Sequence, residues 1–251
     1  MKPTTRSISG AVTAILMIPF IIGLLACLPV PIGDPERSRV DEELSGIWLQ
    51  VEEEGNLAIV LFEPFDKRTW LVTLYGLDIE EESCEWNEDE PETRDEIMLA
   101  LRTLGKDCLK RDGQSSYKAW RKKLADTWFL TWEPKALFDT DHGFEPALWL
   151  GYRIEKSGED EFTLRPINPD DEAFNELDEN KAIKKLDEDG LPRDPDTLRS
   201  ARRAFERVLK RNAKNEDIYS GSELDPRHFF RIQPDDYSLF AGKVVPDELD
   251  L

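Results

Sequence analysis

The sequence predicts an α+β fold, an antiparallel and partly or fully closed β-sheet of roughly six to eight strands with helices packed on it. Three observations predict it. Short β-branched and aromatic runs separated by turn signals occupy residues 46–75 and return over 127–167. Capped, amphipathic helix patterns lie between and after them, over 94–125 and 170–213. Seven Trp and twelve Phe supply the apolar bulk for one sizeable core, so one domain is the default for a chain of 251 residues.

The first element is not part of that domain. Residues 11–27, AVTAILMIPFIIGLLAC, follow a short N-terminus whose only charges are Lys2 and Arg6. A basic start, an apolar run and a small residue before a cut site form a secretory signal. As a helix, Ala11–Ala26 would reach roughly 24 Å, short of the ~30 Å hydrocarbon core. Pro19, Pro29 and Pro31 interrupt any longer helix. An uncleaved membrane anchor and an ordinary cleaved signal are the alternatives. The run ends in Leu24-Leu25-Ala26-Cys27, and this motif resembles the lipobox of bacterial lipoprotein precursors. The resemblance implies cleavage before Cys27, a diacylglyceryl group on its thiol and acylation of the freed amine. Three acyl chains hold a protein firmly, since each buried CH₂ adds about 0.8 kcal/mol. Leu28 is not the aspartate that signals inner-membrane retention in enterobacterial lipoproteins. The resemblance therefore implies a cell-envelope protein of the outer membrane, facing the periplasm.

Residues 27–44 are expected to form the lipidated cysteine and a flexible, proline-rich tether, with the domain occupying 45–251. Strands are predicted at Gly46–Glu52, Leu57–Glu63 and Thr69–Tyr75, joined by turns at 54–56 and 64–68. The stretch Asp78–Glu96 holds eleven acids and one Arg. A calcium site is the sharp reading of so many carboxylates, but the EF-hand pattern is absent and a solvated loop fits better. Thr93 and Glu96 form a capping box for a helix over Arg94–Leu104, closed by Gly105. A second helix is predicted over Ser116–Ala125, after an Asp112-Gly113 turn.

Strands are predicted again at Thr127–Glu133, Ala147–Lys156 and Glu161–Ile167. Side chains alternate along a strand, so Trp128, Leu130 and Trp132 share one face. Such a row is ordinarily core, and it is also able to line a ligand cavity. Helices are expected near Asp170–Leu186 and Asp196–Ala213, each behind an Asx-Pro start. The latter carries an apolar stripe of Leu198, Ala201, Phe205, Val208 and Leu209. Arg199, Arg202, Arg203, Arg207, Lys210, Arg211 and Lys214 cover its remaining faces. Those cations either pair with the acid-rich segments or grip anionic lipid phosphates. A last strand is predicted at Arg227–Gln233, and an acidic tail follows.

Charge and cysteine usage bound the function. The net charge of −20 becomes −22 without residues 1–26, which carry two bases and no acid. Phosphate backbones repel such a chain, which excludes nucleic acid as a partner. With Cys27 lipidated, Cys84 and Cys108 remain as an even pair in an oxidising compartment, where a disulfide is the expectation and two separate buried thiols the alternative.

No His-Glu-x-x-His, Gly-x-Ser-x-Gly or Gly-rich phosphate loop occurs, so no catalytic residue, metal ligand or cofactor is assigned. Only His142 and His228 are present; Asp139, Asp141 and His142 fall close together, where loop polarity explains them as well as a metal does. Leu44-Ser45-Gly46-Ile47-Trp48 before a strand resembles the Gly-x-Trp opening of lipocalin-like barrels. That resemblance implies a closed barrel and a small apolar ligand behind Trp48, Trp128 and Trp132. The primary expectation is a lipid-anchored, non-catalytic binding or interaction module with a partner in the envelope; the alternative is a lipocalin-like carrier.

Overall fold

The computed structural model describes residues 27–52, 56–79, 93–105, 108–134, 149–169, 171–175, 177, 195–220 and 226–240. The alternating patterns become nine strands: β1 Cys27–Leu28, β2 Gly46–Val51, β3 Leu57–Pro64, β4 Trp70–Ile79, β5 Leu109–Leu124, β6 Thr127–Pro134, β7 Trp149–Lys156, β8 Glu161–Pro166 and β9 Arg227–Arg231. Among the described residues, three α-helical elements can be bounded: α1 Arg94–Leu104, α2 Pro195–Asn212 and the single turn α3 Tyr237–Phe240. None of the described helices is long and apolar enough to cross a membrane.

Every strand pairing is antiparallel, and the order β7-β6-β5-β4-β3-β2-β9-β8 closes through a β7–β8 ladder into an eight-stranded barrel. Closure leaves these eight strands without an open edge. The short connections at 65–69, 125–126 and 157–160 lie at one end of the barrel. At the other end are the short β2–β3 connection and the strand ends between which the longer connections run, from β4 to β5, β6 to β7 and β8 to β9. β1 is an addition outside the ring. It takes the edge of β7 beyond the point where β8 stops, with Cys27 opposite Leu150 and Leu28 opposite Trp149.

Side chains divide into three apolar clusters because a strand alternates its faces. The barrel interior holds Trp48, Val60, Phe62, Trp70, Leu130, Trp132, Tyr152, Phe162 and Phe229. One outer side is covered by α2, whose Ala201, Phe205, Val208 and Leu209 pack with Trp120, Phe129 and Trp149. The other outer side lies under α1 through Ile97, Met98 and Leu101, with Phe240 of α3. The Thr93–Glu96 capping box forms as predicted, with both reciprocal hydrogen bonds present.

Two expectations are corrected. Residues 116–125 are not a helix; 116–124 are the C-terminal half of β5, which pairs with β4 and β6, and Ala125 lies in the turn to β6. Their Lys and Arg content suits a helix, but the pattern also has period two, with Tyr117 and Ala119 inward and Trp120 and Leu124 outward. Two neighbouring ladders override the propensity. Asp112-Gly113 is likewise not a turn but lies in β5 at the register shift opposite Tyr75/Gly76. A Cβ on Gly76 would stand 2.1 Å from the Asp112 carbonyl oxygen, so only glycine permits this approach.

The second correction concerns 27–44. Leu28, Val30 and Ile32 are buried in the α2 cluster, not extended into solvent. The Ile32 carbonyl accepts from Trp120 Nε1 at 2.8 Å and Thr131 Oγ1 at 3.0 Å. The Gly33 N–H donates to Glu206 at 2.9 Å, and Arg202 pairs with Asp34 at 3.1 Å. Alternating apolar residues between prolines let this segment lie flat on the barrel. The absence of a side chain at Gly151 admits Leu28, whose Cδ1 would be 2.3 Å from an added Cβ.

The helix expected over 170–186 begins with a 3-10 turn, Glu172–Phe174, capped by Asp171. Phe174 and Leu177 join the α2 cluster, and residues 178–186 lie outside the described part.

Candidate functional site

The two ends of the barrel differ in chemistry. At the short-loop end, Trp48 is fully committed to packing. Its Nε1 donates to the Leu44 carbonyl at 2.9 Å, and its ring meets Phe162 edge-on at 4.6 Å. The Arg231 guanidinium covers it at 4.2 Å while donating to the Ser45 and Glu43 carbonyls. Trp70 Nε1 donates to Ser45 Oγ at 3.2 Å, and Leu44 is buried beneath. Trp128 belongs to this end as well, half-buried, with Arg121 stacked on it at 4.2 Å and Lys123 at 5.8 Å. The 43–48 segment is a plug.

Trp132 occupies the other end. Its ring lies 5.2 Å from both Tyr117 and Tyr152, and 6.2 Å from Phe62. Although fully buried, its Nε1 has no hydrogen-bond partner among the described residues. The same holds for Oε1 of Gln50, whose residue is 2% exposed. Buried polar atoms left unpaired cost roughly 1–3 kcal/mol each. Thr69 Oγ1 is unpaired among the described residues at the short-loop end as well. It is the nearness of Trp132 Nε1 and Gln50 Oε1 to a cation that makes this end the candidate.

A cation stands beside them. Arg227 starts β9 and, two residues before the inward Phe229, faces the interior. Its guanidinium lies 5.8 Å over the Tyr152 ring, and Nε is 3.5 Å from Glu52 Oε1. That same carboxylate oxygen accepts from Gln50 Nε2 at 2.9 Å. The Tyr152 phenol and Glu52 raise the Arg227 pKa against the cost of burial, which keeps the guanidinium charged. Its side chain as a whole is 32% exposed. Donors from Arg227 and Trp132, an acceptor on Gln50 and three aromatic faces together suit a ligand with a polar acceptor head and an apolar body.

No protein-family model matches the chain, and no solved structure matches it. The site must be read from its own residues.

Trp48, Trp128 and Trp132 all face the interior, as the alternation implies, but the structure sets Trp48 and Trp128 at the plugged end and Trp132 at the other. Gln50, Glu52, Tyr117, Tyr152 and Arg227 have no distinguishing motif. The available signal is the run Arg227-His228-Phe229-Phe230-Arg231, whose alternation puts two arginines on the face of an inward phenylalanine. His228 points outward, with Nδ1 3.2 Å from Thr163 Oγ1. Asp139, Asp141, His142 and Cys84 lie outside the described residues, whereas Cys108 sits between α1 and β5, its N–H donating to the Gly105 carbonyl at 3.2 Å. Among the described residues no group of three or more His, Cys, Asp or Glu is placed to hold a metal ion.

Proposed function

We propose that this chain is a lipid-anchored cell-envelope protein whose barrel is a non-catalytic binding module, with its ligand at the Trp132–Arg227 end. The observation that carries the reading is the pair of unpartnered buried atoms, Trp132 Nε1 and Gln50 Oε1, beside the charged Arg227. A carboxylate or phosphate head would accept from Arg227 and the indole N–H, and the aromatic rings would receive the chain behind it.

Strand register would set the proposed anchor beside the proposed site. Cys27 is opposite Leu150, and Leu150 is opposite Trp132 on the next strand. The residue proposed to carry the lipid is therefore two ladder steps from the proposed site. A ligand drawn from the bilayer would have a short path. The carrier reading survives only in this narrower form, because Trp48 and Trp128 are occupied by packing.

Native mass spectrometry of the membrane-extracted protein, with decanoate as the added probe, tests binding. The expected result is one decanoate per chain, quenching of Trp132 emission, and loss of both in Arg227→Gln. Unchanged emission at saturating decanoate and an identical spectrum for the variant would refute the site. Intact mass of Cys27→Ser against the parent tests the anchor separately, by loss of the acyl mass.

A further inference from the structure

The outer face of α2 is basic on a chain that is acidic overall. Arg199, Arg203, Arg207 and Lys210 recur three or four residues apart, which sets them on one side of the helix. All four are exposed. With Asp196, Ser200, Glu206 and Leu124 they line a cleft of about 770 Å³. Its two acids are already engaged: Asp196 is 3.3 Å from Arg199, and Glu206 accepts the Gly33 N–H at 2.9 Å. Arg203, Arg207 and Lys210 have no carboxylate within ion-pair distance among the described residues. Among the described residues, no acid offsets these three cations.

The opposite face of the same helix meets the segment by which the chain enters the fold. Leu28, Val30 and Ile32 pack with Ala201, Phe205 and Val208, and Gly33 and Asp34 bond to Glu206 and Arg202. The apolar residues 11–26 join the fold immediately before β1. If that segment spans a membrane or is replaced by lipid on Cys27, the point of attachment enters the fold beside α2.

We infer that the basic face of α2 docks on an anionic bilayer surface, with Arg203, Arg207 and Lys210 contacting lipid phosphates. Charge selects the orientation. An anionic surface repels a chain of net charge −20, and α2 is a face on which the local sign is reversed. The inference rests on the proposed membrane attachment for its setting, not for its chemistry.

The test adds the full-length protein to preformed vesicles of phosphatidylcholine alone or with phosphatidylglycerol, and follows acetylation of Lys210 by mass spectrometry. Phosphatidylglycerol should slow Lys210 acetylation several-fold, and ~1 M salt, where the screening length is about 3 Å, should remove the difference. R203E/R207E should remove it as well, and the salt arm reports independently of how that variant folds. Equal rates in the two vesicles would overturn docking. Equal protection by inorganic phosphate with phosphatidylcholine vesicles would assign the cleft to a soluble anion and overturn it too. If attachment itself fails, the protein sediments with neither vesicle by its lipid, and salt-sensitive sedimentation with phosphatidylglycerol alone still supports docking.

Discussion

The Arg153 guanidinium lies 3.9 Å from the centre of the Tyr219 ring, and the Tyr219 hydroxyl donates at 3.1 Å to the Ala213 carbonyl that Arg153 also approaches. Arg153 is 6% exposed on the outer face of β7, and Glu216 closes the arrangement by accepting from both of its terminal nitrogens at 3.0 and 2.9 Å. This cluster clamps the end of α2 and the turn after it to the barrel wall.

Its stability should bend at both ends of the pH scale. The Arg153 hydrogen bond holds the Glu216 carboxyl below its ordinary 4.5, against a smaller effect of burial. A depressed acid contributes fully above its unfolded value, so this contribution is present above about pH 4.5 and lost as pH falls through the lowered folded value. Glu216 is 64% exposed, which limits the effect to about 1 kcal/mol. Burial, opposed by the Arg153 charge, pushes the Tyr219 phenol from 10.0 up to about 12. That contribution is present below pH 10 and lost as pH rises toward 12. Urea midpoints measured against pH should lose their acid limb in Glu216→Gln, and phenolate absorbance should show one tyrosine titrating late.

Ile32 is fully buried, and its carbonyl holds two side chains from β5 and β6. Ile32→Ala should cost roughly 2–5 kcal/mol by leaving a cavity. Thr131→Val, which removes one of the two hydrogen bonds, should cost about 1 kcal/mol. Chemical denaturation decides. A flexible tether at this position would give no change for either.

Gly76→Ala places a methyl group against the Asp112 carbonyl oxygen, backbone on backbone. The neighbouring chain has to shift, and a loss of roughly 1–3 kcal/mol is expected. Gly158→Ala, where an added Cβ meets nothing within 4 Å, is the matched control.

A Cys84–Cys108 disulfide would close a loop of about 25 residues and stabilise the fold by roughly 3 kcal/mol in the chain-entropy model. Mass before and after reduction under denaturing conditions should differ by two hydrogens. Cys84→Ser should lower the denaturation midpoint to that of the reduced parent.

Most barrel strands are legible in the sequence because alternation and hairpin turns are local signals. The 94–104 helix is legible from its capping box, and α2 from its stripe. The failures have a common cause. Residues 116–124 and 28–32 take their conformation from distant neighbours, Val72 and Leu130 in one case and Trp120 and Thr131 in the other. The same applies to the candidate site. Trp132 stands out as an aromatic on a strand, but its relation to Gln50 and Arg227 exists only once β2 and β9 have met across the closed ring.

The early burial of Leu28 fixes how the protein can meet others. With the proposed lipid on Cys27, the barrel would have no leash on which to sweep the space above its support. Partners would then have to diffuse to it, and membrane-borne molecules, confined to two dimensions, would hold the advantage in that search.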